Sequence, residues 1–332
     1  MEKLSRNINA WLDVLPVNPL PALLAWDSQA LNFLTRRDLL GEPVGSVETL
    51  WQSAEAVQLV RKQQANGSWL YGSKSINSET GTQYDLVETY RILRLLVEIY
   101  GFTRDHPSLA RAAEYILTYQ TDEGDLRGIL GNQYMPYYHG AILELLIKAG
   151  YIDDARVVKG LDWLLSVRQD DGGWIVPVQD IPSAKRTSGM WLGIAIHSDP
   201  TRPHSHMATG MALRALAAHP VYRTRPEVLT AGEALKYRLF KADKYNDRRA
   251  PSYWLKYQFP FWWTSLLTAL DTLSWLGFDR NDPDIDRGLD WVITNQCPDG
   301  LWETGYGAGK SAEANRHWVG LAFCRVLERF FI

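Results

Sequence analysis

Along most of the chain apolar residues return at helical spacing, and two kinds of segment alternate. In 154–168, Val157, Leu161, Leu164 and Leu165 fall at i, i+4, i+7 and i+8 among polar neighbours; in 283–296, Ile285, Leu289, Val292 and Ile293 do the same. That spacing gives one apolar stripe and one wet face, as on a helix covering a core. The segments that follow differ. In 204–218 the run Met211-Ala212-Leu213-Arg214-Ala215-Leu216-Ala217-Ala218 is apolar or small on nearly every side, which places a helix inside. Outer and inner partners are predicted at 46–64 with 84–100, 107–120 with 137–149, 154–168 with 204–218, 226–240 with 261–276, and 283–296 with 314–330. Ahead of them, 1–15 reads as a short helix and Pro16, Pro19 and Pro21 break the chain. A further helix runs from a cap at Asp27 to Leu40, with Gly41 as its stop.

A recurring loop punctuates this alternation. Gly288 to Gln296 leads into Cys297-Pro298-Asp299-Gly300-Leu301-Trp302, and Gly160 to Arg168 leads into Gln169-Asp170-Asp171-Gly172-Gly173-Trp174 in the same register. Ala112 to Gln120 leads into Gly124-Asp125-Leu126, and a fourth copy ends in Gln63-Gln64-Ala65-Asn66-Gly67-Ser68-Trp69. Self-similarity at this spacing means a repeat architecture. About six outer/inner helix pairs, at roughly 50 to 70 residues per pair, predict an all-α (α/α)6 toroid. The expectation is a single domain over 1–332, with 1–45 supplying the first pair. An open solenoid fits the local pattern too; large aromatics on the inner set favour closure. Outer-to-inner loops are the long ones, the longest running from Gln169 to Pro203. Long loops in a compact domain usually carry function, so the functional mouth is expected where the inner helices begin.

Composition narrows the class. The 332 residues are 46% hydrophobic, enough to bury a large core. No apolar run approaches the roughly 18 residues of a membrane span, and the N-terminal residues lack the apolar stretch of a signal peptide. Two cysteines, Cys297 and Cys324, exclude a disulfide framework and a cysteine-rich metal cluster. A cytoplasmic protein is therefore expected. A net charge of -3 argues against general nucleic-acid binding. The 14 Trp and 16 Tyr call for an aromatic-rich core or an aromatic-lined cavity.

Gln63-x-x-x-Gly67-x-Trp69 and Gln296-x-x-x-Gly300-x-Trp302 match the QxxxGxW repeat, and the chain from about Ser46 onward resembles the superfamily of squalene-hopene cyclases, oxidosqualene cyclases and protein prenyltransferases. In the third copy Arg168 takes the Gln position, and in the second Leu126 takes the Trp position. The resemblance implies the toroid fold and a structural role for the motif, Gln capping a helix end and Trp stacking over the turn. The cyclases of the superfamily protonate an alkene with an acidic DxDD cluster at the start of an inner helix. The counterpart here, His204-Ser205-His206-Met207, carries no carboxylate, so cyclisation by that route is not expected. Asp282-Pro283-Asp284-Ile285-Asp286 starts an outer helix and reads as N-capping. The prenyltransferases bind zinc through an Asp, a Cys and a His. The resemblance sets Lys256 and Gln258 at the first two positions and keeps only His317, so neither a metal nor another cofactor is expected.

The candidate site residues come from the expected mouth. His204 and His206 open an inner helix and either act as acid and base, bind an anion, or cap and pack. His317 and Asp85 complete the candidate catalytic set, Asp85 otherwise compensating a helix start. The loop 241–258 sets Lys241, Lys244, Arg248, Arg249 and Lys256 against Asp243 and Asp247. The prenyltransferases place cations for a diphosphate in a comparable region, so Arg248, Arg249 and Lys256 are candidates for an anionic head; a solvated basic loop is the alternative. Tyr138, His139, Tyr257, Trp262, Trp263 and Trp318 either line a cavity for an apolar chain or fill the toroid. Two function classes follow. One is an isoprenoid-handling, prenyltransferase- or terpene cyclase-like enzyme, holding an apolar chain with its head at a basic mouth. The other is a non-catalytic lipid- or protein-binding toroid. The expected partner is an apolar small molecule and not nucleic acid; peripheral membrane contact fits this reading.

Overall fold

The computed structural model describes residues 10–72, 75–245 and 248–331. Among them the chain is all-helical, with isolated bridges in place of strands. The α-helices in order are α1 (Leu20–Ala25), α2 (Gln29–Asp38), α3 (Ala54–Arg61), α4 (Tyr84–Glu98), α5 (Pro107–Leu117), α6 (Pro136–Lys148) and α7 (Ala155–Ser166). They continue with α8 (Pro177–Asp180), α9 (Ser188–Leu192), α10 (His206–Ala218), α11 (Pro226–Tyr237), α12 (Leu266–Trp275), α13 (Pro283–Thr294) and α14 (Lys310–Phe331). The alternation of half-wet and fully buried helices is that of an α/α toroid. No helix among the described residues is long and apolar enough to cross a membrane. The helix expected over 1–15 lies partly outside the described residues, and 10–15 form turns.

Two compact units are distinguished, one from residues 1–46, 239–241 and 251–332, the other from 47–238 and 242–250. In the second, α7 buries Val157, Leu161 and Leu164 and leaves Lys159 and Asp162 exposed, as its spacing predicts. Helix α6 is buried from Pro136 to Ile147 and α10 from His206 to Ala217. Their backbones touch at Gly140, where a Cβ would lie 2.5 Å from the Ala212 Cα. Arg214 crosses the same interface and forms an ion pair with Glu144, Nε lying 2.8 Å from Oε2, both side chains buried. In the first unit α14 buries half of its 22 residues, and Arg325 and Arg329 pair with Asp38 and Asp271.

Caps, more than apolar spacing, set the helix starts. Ser28, not Asp27, caps α2. Ser53 accepts from the Ala56 amide and starts α3 there, so the predicted helix 46–64 begins as a 3-10 turn over Val47–Gln52. Ser265, in a capping box with Thr268, delays α12 to Leu266. Ser205 accepts from the Ala208 amide and starts α10 at His206, leaving His204 outside the helix. Each hydroxyl satisfies an amide that has no partner within its own helix.

The repeated loop is a clip between consecutive outer helices. Gln63 Nε2 donates to the Gly67 carbonyl at 3.0 Å and to the Ser108 carbonyl, in the first turn of α5, at 2.8 Å. Gln120 Nε2 donates to Gly124 at 2.8 Å and to Arg156, in the first turn of α7, at 2.7 Å. Gln296 Nε2 donates to Gly300 at 2.9 Å and to Val17, ahead of α1, at 2.8 Å. A primary amide has two N–H groups and so serves both carbonyls at once. The indoles add a second tie, each Nε1–H donating to the carbonyl ten residues earlier: Trp69 to Leu59, Trp174 to Leu164 and Trp302 to Val292, at 2.8, 2.8 and 2.7 Å. Gly67 sits at φ 93°, and a side chain there would strike the Arg111 carbonyl of α5. Replacing Gln120 by Met keeps the volume and strands two carbonyls; urea denaturation of Gln120→Met is expected to show a loss of about 1–3 kcal/mol.

Candidate functional site

The start of α10 carries a dense polar cluster. Asp243 arrives from the 242–250 loop, fully enclosed, and accepts four bonds. Oδ2 takes Ser205 Oγ at 2.8 Å and the Met207 amide at 2.9 Å; Oδ1 takes the amides of Lys244 and Tyr245 at 2.6 and 3.0 Å. Burial works to raise this carboxyl, but the His206 ring and the amide donors outweigh it and hold the group below the usual carboxylate range. His206 is buried, its Nδ1 3.3 Å from Asp243 Oδ2. Desolvation pushes its pKa down to about 4 against the pull of Asp243, so the pair stands as a carboxylate beside a neutral imidazole at neutral pH. His204 turns to a different acid, Nδ1 lying 2.9 Å from Asp171 Oδ2, which also accepts the His204 amide at 2.8 Å.

Beside this cluster opens a basic cleft of about 490 Å³. Its charged wall is Arg186, Arg202, Lys244 and Arg249, against one lining carboxylate among the described residues, Asp180. Arg202 grips Asp180 with two nitrogens, at 3.0 and 2.7 Å. Arg186 is held by the carbonyls of Ile181 and Gln179 at 2.8 and 2.9 Å and makes no ion pair among the described residues. Lys244 lies over the Tyr245 ring at 5.8 Å. Arg249 makes no ion pair among the described residues, and Asp247 lies outside them. Tyr245 joins the cleft to the buried pair: its ring is in the wall while its amide is bonded to Asp243.

Helix α8 carries a second, smaller opening on its other end. Pro177 lines a pocket of about 190 Å³, whereas Gln179 and Asp180 line the cleft. Trp163, Tyr134 and Ile175 form apolar walls, and Arg168, His197 and Ser166 bring polar groups. Tyr134 donates its hydroxyl to Glu123 at 2.6 Å under the Arg127 guanidinium. Burial and that bond push its pKa up to about 12, so it remains a donor.

Much of this pocket falls within residues 82–188, which match the family model of the squalene-hopene cyclase C-terminal domain. Over 225 residues the chain is 23% identical to the squalene–hopene cyclase of Zymomonas mobilis subsp. mobilis, covering 61% of this chain and 30% of that protein. The chain is terpenoid cyclase-like. The match spans under a third of the curated relative's length. Among solved structures, the type II terpene cyclase MstE from Scytonema is similar at a TM-score of 0.44 and 13% identity, over 97% of this chain and 86% of that one. A glycosyl hydrolase of family 88 from Bacteroides vulgatus is similar at 0.42 and 12%, over 91% and 97%. Neither similarity bears on chemistry.

In the terpenoid cyclase-like chain the expected site residues divide between the two units. Arg249 reaches the cleft wall, and Arg248 is half-buried in the same loop. Asp85 accepts the Tyr71 amide at 3.2 Å, fixing the loop before α4. Tyr138 is buried with its ring 5.7 Å from that of Tyr90. His139 is fully buried and both nitrogens meet backbone. The Leu126 amide donates to Nδ1 at 3.0 Å, which places the ring proton on Nε2, 3.0 Å from the Gly160 carbonyl. It thus does for Leu126 what Thr89 and Thr209 do for Trp69 and Trp174, whose amides they accept at 3.0 and 2.9 Å.

In the other unit, His317 donates from Nδ1 to the Glu313 carbonyl at 2.8 Å and stacks on Trp26 at 4.1 Å. Lys256 lies over the rings of Tyr253 and Tyr306 at 4.8 and 5.8 Å. Tyr257 is wholly buried, and burial raises its phenol. Trp318 stacks against Phe259 at 5.9 Å, and the half-buried Trp262 and Trp263 rings are 6.1 Å apart. Sequence reasoning missed Arg186, Arg202 and Tyr245 as cleft residues and Asp243 as the anchor of α10. The long loop was the signal for the arginines; nothing local marks Asp243.

The buried imidazoles give a pH dependence of definite sign. Burial takes His139 to about 4, below the ordinary histidine value of 6.5. The unfolded chain therefore binds the proton more readily, and stability present above pH 6.5 is lost as pH falls towards 4. Between about pH 7.5 and about pH 5 this one group should remove about 2 kcal/mol of unfolding free energy. Urea titrations at the two pH values should show His139→Gln with a shallower loss than the parent; equal losses would exclude His139 as the source.

Proposed function

We propose that this terpenoid cyclase-like chain binds an isoprenoid or related apolar ligand that bears an anionic head, with the basic cleft beside α10 as the head site and residues 1–332 acting as one toroid domain. The observation that carries the reading is the charge of the cleft: Arg186, Lys244 and Arg249 face it without a carboxylate partner among the described residues, and Asp180 offsets only Arg202. Phosphate-bearing groups are the natural guests of clustered guanidinium and ammonium donors. Of the candidate acid–base groups, His206 stands nearest in connectivity, reached through Asp243 and Tyr245. Prenyltransferase- or cyclase-like turnover of the bound ligand would use that pair with His204.

The second reading is binding without catalysis, and Asp243 favours it. Protonating an unactivated alkene needs a neutral carboxylic acid, and this carboxyl is held ionised by four donors. Calorimetric titration of the full chain with farnesyl diphosphate tests the head site. Arg249→Ala and Lys244→Ala should each weaken binding about tenfold, or roughly 1.4 kcal/mol. Lys256→Ala should weaken it less, because its ammonium already lies over two aromatic rings. Unchanged affinity in the Lys244→Ala, Arg249→Ala double variant would sink the assignment. Product analysis of the same mixtures separates turnover from binding.

A further inference from the structure

The third copy of the repeated loop breaks the rule that the others follow, and it does so at the wall of the smaller pocket. Where Gln63, Gln120 and Gln296 each serve two carbonyls, Arg168 serves one, donating from Nη1 to Glu227 in the first turn of α11 at 3.1 Å. Its Nε is buried without a hydrogen-bond partner, and no ion pair to it is formed among the described residues. As a clip Arg168 is the poorer residue. It makes one bond for two and leaves a donor unsatisfied, a cost of about 1–3 kcal/mol where the group is buried. A local departure of this kind is expected where a residue also serves a site.

The pocket supplies that second role. Trp163, Tyr134 and Ile175 are nearly fully buried and wall it with apolar surface, while Arg168, His197 and Ser166 gather its polar groups. No carboxylate lines it among the described residues. The C-terminal end of α7 also points here, and its partial negative charge of about half a unit disfavours an anion. That end is partly quenched, since the Leu164 carbonyl accepts Trp174 Nε1 at 2.8 Å and the Trp163 carbonyl accepts Ser166 Oγ at 2.8 Å. One full guanidinium charge remains. A volume of about 190 Å³ is below the range of sites for drug-sized ligands, yet an apolar cavity of about 150 Å³ takes a benzene ring.

We propose that this pocket is a binding site for a compact apolar monocarboxylate, the carboxylate meeting the Arg168 guanidinium and a body of one ring or a short branched chain packing between Trp163, Tyr134 and Ile175. The site is separate from the head site in the basic cleft, and either assignment can fail without the other. Arg168 could alternatively do no more than complement the α7 terminus and hold α11, and one substitution separates the two roles. Arg168→Gln restores the residue of the other copies and removes the charge.

The test is titration of the full chain with benzoate, 3-methylbutanoate and benzamide, the last a neutral match in shape to benzoate. Expected are saturable binding of at least one acid, benzamide weaker than benzoate by tenfold or more, and loss of acid binding by tenfold or more in Arg168→Gln. That variant should melt at or above the parent temperature, and its affinity for inorganic diphosphate should match the parent's. Absence of saturable binding of both acids, equal affinity for benzoate and benzamide, or undiminished acid binding in Arg168→Gln would each overturn the proposal.

Discussion

One side-chain amide bonded to two backbone carbonyls is the interaction on which this fold rests. Gln63, Gln120 and Gln296 each hold their own loop through a glycine carbonyl and the next outer helix, or the segment ahead of α1, through a second carbonyl. Helix stripes give an outer helix an apolar face, but a stripe alone permits sliding and rotation. The bidentate amide removes that freedom, because it bonds only when two carbonyls stand at one separation and angle. In the Gln63 and Gln296 loops the indole also ties the turn back to the preceding helix. Apolar burial supplies the larger free energy, and the clips choose among the packings that bury similar area.

From this the polar architecture follows. The clip fixes where the chain leaves an outer helix, and the residue after the loop is then captured by the next inner helix: Trp69 by Thr89, Leu126 by His139, Trp174 by Thr209. Two of the captors are threonines. The third is an imidazole that reaches further and also bonds the Gly160 carbonyl of α7, in the copy that lacks the indole. The copy without the indole is thus also the one whose captor is an imidazole, and burial keeps the ring neutral because a proton on Nδ1 would displace the Leu126 amide.

The helix pairs were legible because period and loop agree. The stripe of Val157, Leu161 and Leu164 and the Gln-Gly-Trp spacing are both local in sequence. The helix starts were less so, since a serine hydroxyl competes with apolar spacing: Ser205 and Ser265 each move a start past aromatic or histidine residues that look helical. The buried Arg214–Glu144 pair is hidden for another reason. Each residue is flanked by apolar neighbours in its helix, and only packing brings Nε within 2.8 Å of the carboxylate. The site was legible in composition and not in membership. Arg249 was found from its basic loop, whereas Arg186, Arg202 and Asp243 join the same region by long-range contacts that no spacing encodes.

The charge around α10 also decides what kind of chemistry this mouth can do. A group that gives a proton to carbon must sit neutral in surroundings that penalise its anion. Here Asp243 has the opposite surroundings, with four donors on its carboxylate. The cleft beside it favours an anion as well, because Arg186, Lys244 and Arg249 face it without a carboxylate partner among the described residues. Strong acidity and strong anion binding thus make opposite demands on one local potential. The donors around Asp243 suit the second demand, and the carboxylate at the start of α10 serves as an anchor for backbone and hydroxyl donors.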